Sequence, residues 1–484
     1  MVRWCCYSSA VLKQYHQEDI VKASRRELQY AAEHFGEVHH TTLNPEGPGV
    51  VRIHLIPPRV EGNSISASVA IINGQDIIPV NVSWSILLTE MIEEVNRYHG
   101  QEIDQSQTDE IMEKTCTAVR RVYPLVSRKR LKKDIFRIMN TLRQVAYGEP
   151  TDEEIAYTSL GDYAPFMQSP HRMDLMVSAM TKEGKWNCNQ CCVHCYAAGQ
   201  PSAEEKELST EEWKRIIDKC REISIPQVTF TGGEPTMRDD LPELIEHAAW
   251  FITRLNTNGI KLTPEYCKRL QEVSLDSVQI TFYSHDEAIH NRLVGAEKYE
   301  QTLAGVKNAL AAGLSVSINT PLCEVNRDYV KTLAFLHDLG VIYVTCSGLI
   351  TTGNAATQES EELQLSHAEI RKILREAVTY CNEHGMEISF TSPGWVDHDF
   401  CKELGISTPN CGACLSNMAV TPGGGVVPCQ SWLSDAPLGD FLADDWETIW
   451  NSEACRKKRT FSAAMRCECP LRTAARKEAR DAQE

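Results

Sequence analysis

Between about residues 170 and 395 the chain alternates short apolar runs with longer stretches whose hydrophobic residues recur at helical spacing. Runs at 173–178, 227–231, 252–257, 277–284, 315–320 and 342–346 predict strands. The stretches between them carry helix punctuation. Ser209 and Glu212 form a capping-box pattern, after which Trp213, Ile216, Ile217 and Cys220 share one face. Thr263 followed by Pro264 reads as an N-cap with proline in the first helical position. Gly313, Gly340 and Gly385 fall where helices would end. Repeated strand–helix units imply a parallel sheet, and about six of them predict an α/β fold, a partial (βα)6 barrel. Chemistry in such folds sits in the loops after the strand C-termini.

The flanking segments differ. Strand-like runs at 51–55, 68–72 and 76–80 precede helical patterns near 84–98, 107–122 and 128–146, predicting a small α+β, winged-helix-like module over 1–160. Residues 151–165 read as a linker, and the charged tail after Pro470 as frayed. The barrel is assigned to 165–395 and a cysteine-rich extension to 396–484.

Net charge is −17, which disfavours a general nucleic-acid surface. No apolar stretch approaches the roughly 20 residues that cross a bilayer, and the apolar patch at 4–12 lacks a signal-peptide layout, so a cytoplasmic location is expected. The chain has nineteen cysteines, four of them between Cys188 and Cys195 and seven between Cys401 and Cys469. Clustered thiols in a reducing compartment point to metal rather than to disulfides. Cys220 and Cys381 lie on apolar helix faces and read as core. Cys323 and Cys346 follow predicted strands, where packing is favoured over a hydrogen-donating role.

Cys188, Cys192 and Cys195 are spaced Cys-x3-Cys-x2-Cys in the loop after the first barrel strand. Three thiolates can ligate three irons of a cubane cluster and leave the fourth without a protein ligand. A zinc knuckle completed by Cys191 is the alternative. The loop CNQCCVHCY resembles the signature of the radical S-adenosylmethionine superfamily. That resemblance implies a [4Fe-4S] cluster whose open iron chelates S-adenosylmethionine. It implies reductive cleavage to a 5′-deoxyadenosyl radical, with Cys191 as a spacer.

Gly232, Gly233, Glu234 and Pro235 follow the next strand, and their two glycines allow close backbone approach to a ligand. In the resembled family this element contacts the methionine moiety of the cofactor, with Pro235 fixing the turn. Asn256, Asn258, Ser284 and Asn319 lie at later strand ends and by the same resemblance would help to bind S-adenosylmethionine; each is equally readable as a turn former.

Cys411 and Cys414 precede a predicted hairpin at 418–427, Cys429 follows it, and Cys467 and Cys469 arrive after a short helix near 446–450. A hairpin and a returning segment can present four thiolates to one iron–sulfur or zinc site. The layout resembles the auxiliary-cluster extension called SPASM, or its shorter Twitch form, but lacks a second run of close cysteines after Cys469. One auxiliary [4Fe-4S] cluster is expected, held by Cys411, Cys414, Cys429 and either Cys467 or Cys469. A second cluster would have to draw on Cys401, Cys455 and the remaining thiol.

The resemblance extends to peptide-modifying branches of the superfamily. It implies a ribosomally made precursor peptide as substrate, undergoing cross-linking, thioether formation or epimerisation, and a reductant such as flavodoxin or ferredoxin. Residues 1–160 would then recognise a leader peptide by strand addition. The alternatives are dehydrogenation of a small alcohol, sugar or antibiotic precursor, and a non-catalytic iron–sulfur or zinc binding protein.

Overall fold

A computed structural model describes residues 21–36, 38–43, 51–58, 60–73, 76–98, 103–147, 149–152, 164, 167–357 and 363–472. The apolar patch at 4–12 with Cys5 and Cys6, most of the expected linker, and the tail from 473 lie outside them. The chain divides after Met167 into two compact units.

In the first unit helix α1 (Arg25–His34) opens on a capping box formed by Ser24 and Glu27. Strands β1 (His39–Leu43), β2 (Val51–Ile56), β3 (Ser68–Ile72) and β4 (Asp76–Val80) form an antiparallel meander in chain order. Helices α2 (Val82–Asn96), α3 (Gln105–Val122) and α4 (Arg128–Ala146) follow. Ile53, Leu55 and Ile72 from the sheet meet Leu87, Val119 and Ile135 from these helices in one buried core. The three predicted strands and three predicted helices are present; α1, β1 and a small sheet of two-residue strands at Val21–Lys22, Val60–Glu61 and Ser64–Ile65 are additional. Strand β1 escaped sequence reading because HHTTL has no apolar alternation and buries only Thr41.

The second unit is built on β5 (Arg172–Ser178), β6 (Gln227–Gly232), β7 (Ile252–Thr257), β8 (Ser277–Thr281), β9 (Ser315–Leu322), β10 (Tyr343–Gly348) and β11 (Glu387–Phe390). All seven are parallel and neighbour one another in chain order. Connecting helices include α5 (Thr210–Glu222), capped by Ser209 and Glu212, and α6 (Leu241–His247). Next come α7 (Pro264–Glu272), capped by Thr263, and then α8 (Glu287–Val294) and α9 (Tyr299–Ala311). Further along lie α10 (Tyr329–Asp338) and α11 (His367–His384), which ends on left-handed Gly385. One strand more than predicted is present, because β11 is short and largely exposed.

Burial alternates residue by residue along β7 to β10. Leu255, Val278, Ile280, Ile318 and Val344 are buried on one face. Arg254, Asn256, Gln279, Asn319 and Thr345 on the other remain half-buried. A parallel sheet covered on both faces reads as continuous apolar runs; this one keeps a polar face partly open to solvent, as a partial barrel does.

The extension begins with α12 (His398–Leu404) and continues the same sheet. Strand β12 (Asn417–Val420) pairs parallel with β5, with Asn417 opposite Arg172 and Val420 opposite Leu175. Strand β13 (Gly425–Val427) returns antiparallel as the expected hairpin, and β14 (Gly439–Asp440) joins it. The short helix α13 (Trp446–Trp450) appears where predicted, followed by α14 (Glu453–Ala463).

Candidate iron–sulfur and cofactor site

The cysteine loop leaves the C-terminal end of β5 and is fixed mainly through its backbone. The Cys191 and Val193 amides donate to the carbonyls of Val294 and Leu293, at 2.9 and 3.1 Å. Close approach here requires glycine at the end of α8: Gly295 has φ +62, and a Cβ on it would lie 2.2 Å from the Cys191 carbonyl oxygen. From the other side Asn354 donates through its amide to the Cys195 carbonyl at 2.9 Å. Its side chain donates to the Cys192 carbonyl at 3.1 Å.

Cys188, Cys192 and Cys195 are partly buried free thiols, whereas Cys191 is exposed. Met176, Met180 and Ala197 pack with Cys188 and Cys195, while Leu293 and Val294 pack with Cys192. Burial pushes the Cys188 thiol up to about 12 and raises Cys192 and Cys195 as well, with thiol–thiol repulsion adding to it. All three are free thiols on one short loop. Among the described residues no three His, Cys, Asp or Glu side chains converge as a single metal ion would require. A cubane spreads its thiolates over separate irons, and three buried soft donors on a rigid loop fit that group.

The glycine turn packs against this loop. Gly232 has φ +137, and a Cβ there would lie 2.4 Å from the Ser178 carbonyl oxygen. The Gly233 amide donates to that same carbonyl at 2.8 Å, and the Gly233 carbonyl faces Cys188 Sγ at 3.7 Å. Glu234 is 2% exposed, and its carboxylate is fully engaged. It accepts from Thr236 N at 3.0 Å and Thr257 Oγ1 at 2.6 Å, and from Asn258 N at 2.8 Å. Burial holds its carboxyl above the usual range, and those donors act against the rise. The Glu234 side chain thus ties the ends of β6 and β7 together, and Pro235 starts the following helical turn. What this element offers a ligand is its backbone.

The remaining cofactor candidates divide. Asn258 donates to Asn189 Oδ1 at 2.5 Å, joining β7 to the cysteine loop. Asn256 Oδ1 is buried without a partner and is available. Ser284 Oγ accepts from the Asp286 amide at 3.0 Å and acts as a turn former. Asn319 Oδ1 accepts from Thr345 Oγ1 at 3.0 Å. Cys323 and Cys346 are fully buried, as the packing reading expects.

The C-terminal cysteines sort into neighbourhoods. Burial first, then Cys411 and Cys469, pushes Cys429 up to about 12. Cys469 likewise feels Cys411. Cys467 instead has Cys401 as its nearest thiol influence. Cys414 has left-handed backbone (φ 55), and its thiol is held well above the usual range by Cys455 in the first turn of α14, with burial adding to it; Arg459 Nη1 stands 3.4 Å from Cys455 Sγ. Cys414 also feels Cys429. Ser462, on the same helix, donates to the Ala413 carbonyl at 2.8 Å and lies 3.6 Å from Cys411 Sγ.

One set of groups was missed at the sequence level: the polar face of β7 to β10. Its signal was the period-2 alternation in RLNT, SVQIT, SVSINT and YVTCS, which a strand buried on both faces would not show.

A seven-stranded parallel sheet with three partly buried thiols at the exit of its first strand is a partial barrel with a candidate iron–sulfur site. Residues 187–337 match the model of the radical SAM superfamily, and residues 411–470 match that of SPASM, an iron–sulfur cluster-binding domain. Those two segments therefore carry a radical SAM domain and a SPASM domain, and S-adenosylmethionine and iron–sulfur clusters are the cofactors of these domain types.

Fe-coproporphyrin III synthase of Methanosarcina barkeri is 32% identical over 191 residues, 38% of this chain and 48% of that protein. The chain thus matches about half the length of that relative. PqqA peptide cyclase of Streptomyces rochei is 28% identical over 292 residues, 57% of this chain and 75% of the relative. Among solved structures, SuiB of Streptococcus suis bound to its precursor peptide SuiA has a TM-score of 0.53 at 13% identity, covering 81% of this chain and 87% of that one. That likeness concerns the fold. Among the described residues no helix is long and apolar enough to cross a membrane.

Proposed function

We propose that the enzyme modifies a ribosomally made precursor peptide. The observation that carries this reading is the similarity to PqqA peptide cyclase, which runs through three quarters of that relative. Cys188, Cys192 and Cys195 hold the catalytic cluster, and the backbone of Gly232 and Gly233 receives the methionine moiety of the cofactor. A cluster held there would supply the electron for reductive cleavage of S-adenosylmethionine and so the means to remove hydrogen from the peptide. The auxiliary cluster is held by Cys411, Cys414, Cys429 and Cys469. Cys469 is preferred to Cys467 because it neighbours Cys411, whereas Cys467 neighbours Cys401. The protein's part is to place the peptide beside the cofactor and keep water out.

The N-terminal unit offers its antiparallel meander, in which β1 and β4 each have one neighbour among the described residues, for leader-peptide strand addition. Flavodoxin or ferredoxin serves as reductant in the cytoplasm, where the described cysteines remain free thiols. Neither nucleic acid nor membrane is a partner.

Anaerobic reconstitution is expected to give about eight irons per chain, as two cubanes require, and release of 5′-deoxyadenosine on reduction with S-adenosylmethionine. Release by Cys192→Ala would overturn the assignment of the catalytic loop. A small-molecule substrate is the second reading, favoured by the 32% identity to Fe-coproporphyrin III synthase. The full chain separates the two: turnover of a precursor peptide supports the first, and its absence beside turnover of a small molecule supports the second. A variant lacking residues 1–167 is expected to release 5′-deoxyadenosine but to lose processing of the full precursor; unimpaired processing would overturn leader recognition by the N-terminal unit.

A further inference from the structure

The polar face of β7 to β10 carries an unusual charge arrangement. In register across the sheet lie Asp174 of β5, Thr229 of β6, Arg254 of β7 and Ser277 of β8. Asp174 is buried and is already paired with Arg172, whose Nε stands at 2.8 Å. Arg254 has no such partner. Its Nε is sealed from solvent without a hydrogen-bond acceptor, and Asp174 acts on it only as a more distant charge. Thr229 Oγ1 beside it and Asn256 Oδ1, two residues along the same face, are also buried and unpartnered. Desolvation, then repulsion from Arg172, pulls the Arg254 guanidinium down to about 10, against the attraction of Asp174.

A half-buried guanidinium with one N–H sealed from solvent and left without an acceptor is unfavourable, and a ligand that supplies the acceptor and the counter-charge relieves it. Arg172 and Asp174 balance one another, and Arg254 adds one positive charge beside them, so a monoanion balances the group. A planar guanidinium matches a carboxylate bidentately. Arg254 sits three residues before the end of β7, roughly 10 Å from the mouth where the cysteine loop and glycine turn lie. We propose that Arg254 is the substrate-binding residue that receives a carboxylate of the substrate, with Thr229 and Asn256 completing the polar subsite. A substrate anchored there extends from the barrel interior towards the radical. The proposal rests on the reading of this face as the substrate site of the radical enzyme.

The test is equilibrium binding to reconstituted holoenzyme in the presence of S-adenosylmethionine, with glutarate as probe and glutaramide and inorganic phosphate as controls. Wild type is expected to bind glutarate and show a ligand-dependent rise in Tm, with no comparable response to either control. Arg254→Met should bind glutarate at least tenfold more weakly, and Arg254→Lys should fall between. Without probe, Arg254→Met should melt at a higher temperature than wild type, since it removes an unpaired buried charge; a structural arginine would give the reverse.

Absent glutarate binding in wild type, equal binding in wild type and Arg254→Met, or a preference for phosphate would overturn the proposal. So would a tenfold loss of S-adenosylmethionine affinity in Arg254→Met, which would assign the arginine to the cofactor's own carboxylate. Release of 5′-deoxyadenosine from wild type is measured alongside. Its failure would refute the enzymatic reading, whereas intact release without glutarate binding would refute only the anion site.

Discussion

Glu234 shows how a residue inside a motif can serve the scaffold rather than the ligand. Its buried carboxylate accepts from Thr236, Thr257 and Asn258, so Glu234→Gln places an amide NH2 where one oxygen accepted. Leaving buried donors unmatched costs about 1–3 kcal/mol each. Urea denaturation of the apo-protein is expected to show a loss of about 2–3 kcal/mol, and anaerobic reconstitution a lower iron yield. The ligand choice at the C-terminus is tested in the same currency of iron. Cys469→Ala should lose about four irons per chain while Cys467→Ala keeps them; the opposite result would reverse the assignment. At this scale the sequence was legible where spacing is short. The loop of Cys188, Cys192 and Cys195 and the glycine turn lie after consecutive parallel strands and pack together, as their intervals alone predicted. The neighbours of Cys414, Cys467 and Cys469 could not, because contacts such as that between Cys414 and Cys455 join residues 41 positions apart.

Elements were read well where local chemistry decides them. The capping boxes and the Thr263–Pro264 start appear as written in the sequence, since a cap needs only residues within one turn. Ser209→Ala should therefore cost about 1 kcal/mol in thermal or chemical unfolding and leave iron content unchanged. Strands β1 and β11 went unread because each is short and gains its place through neighbours rather than propensity. The end of α8 belongs to the opposite class: a local glycine with a distant purpose. Gly295→Ala puts a methyl group on the Cys191 carbonyl and on a left-handed backbone. Reconstitution of that variant is expected to lose catalytic iron, seen as weakened absorbance near the cluster bands and loss of 5′-deoxyadenosine release.

For the whole molecule, the order of strands β5 to β11 follows from repeated strand–helix units, and the parallel α/β class was legible for that reason. The attachment of the extension was not. The amphipathic hairpin at 418–427 could be foreseen, but its strand partner lies some 240 residues earlier in the chain. Pairing of β12 with β5 means that the two family domains share one continuous ten-stranded sheet. The border between them is thus a boundary of description and not a seam in the protein. A chain ended at residue 410 would uncover the backbone of Met173 to Leu175, whose side chains are buried and largely apolar. Such an exposed hydrophobic strand recruits copies of itself. That truncation should accumulate as aggregate in light scattering. The auxiliary extension is therefore not an accessory that a radical barrel of this kind could shed, and exchange of substrates by domain shuffling would have to move both halves together.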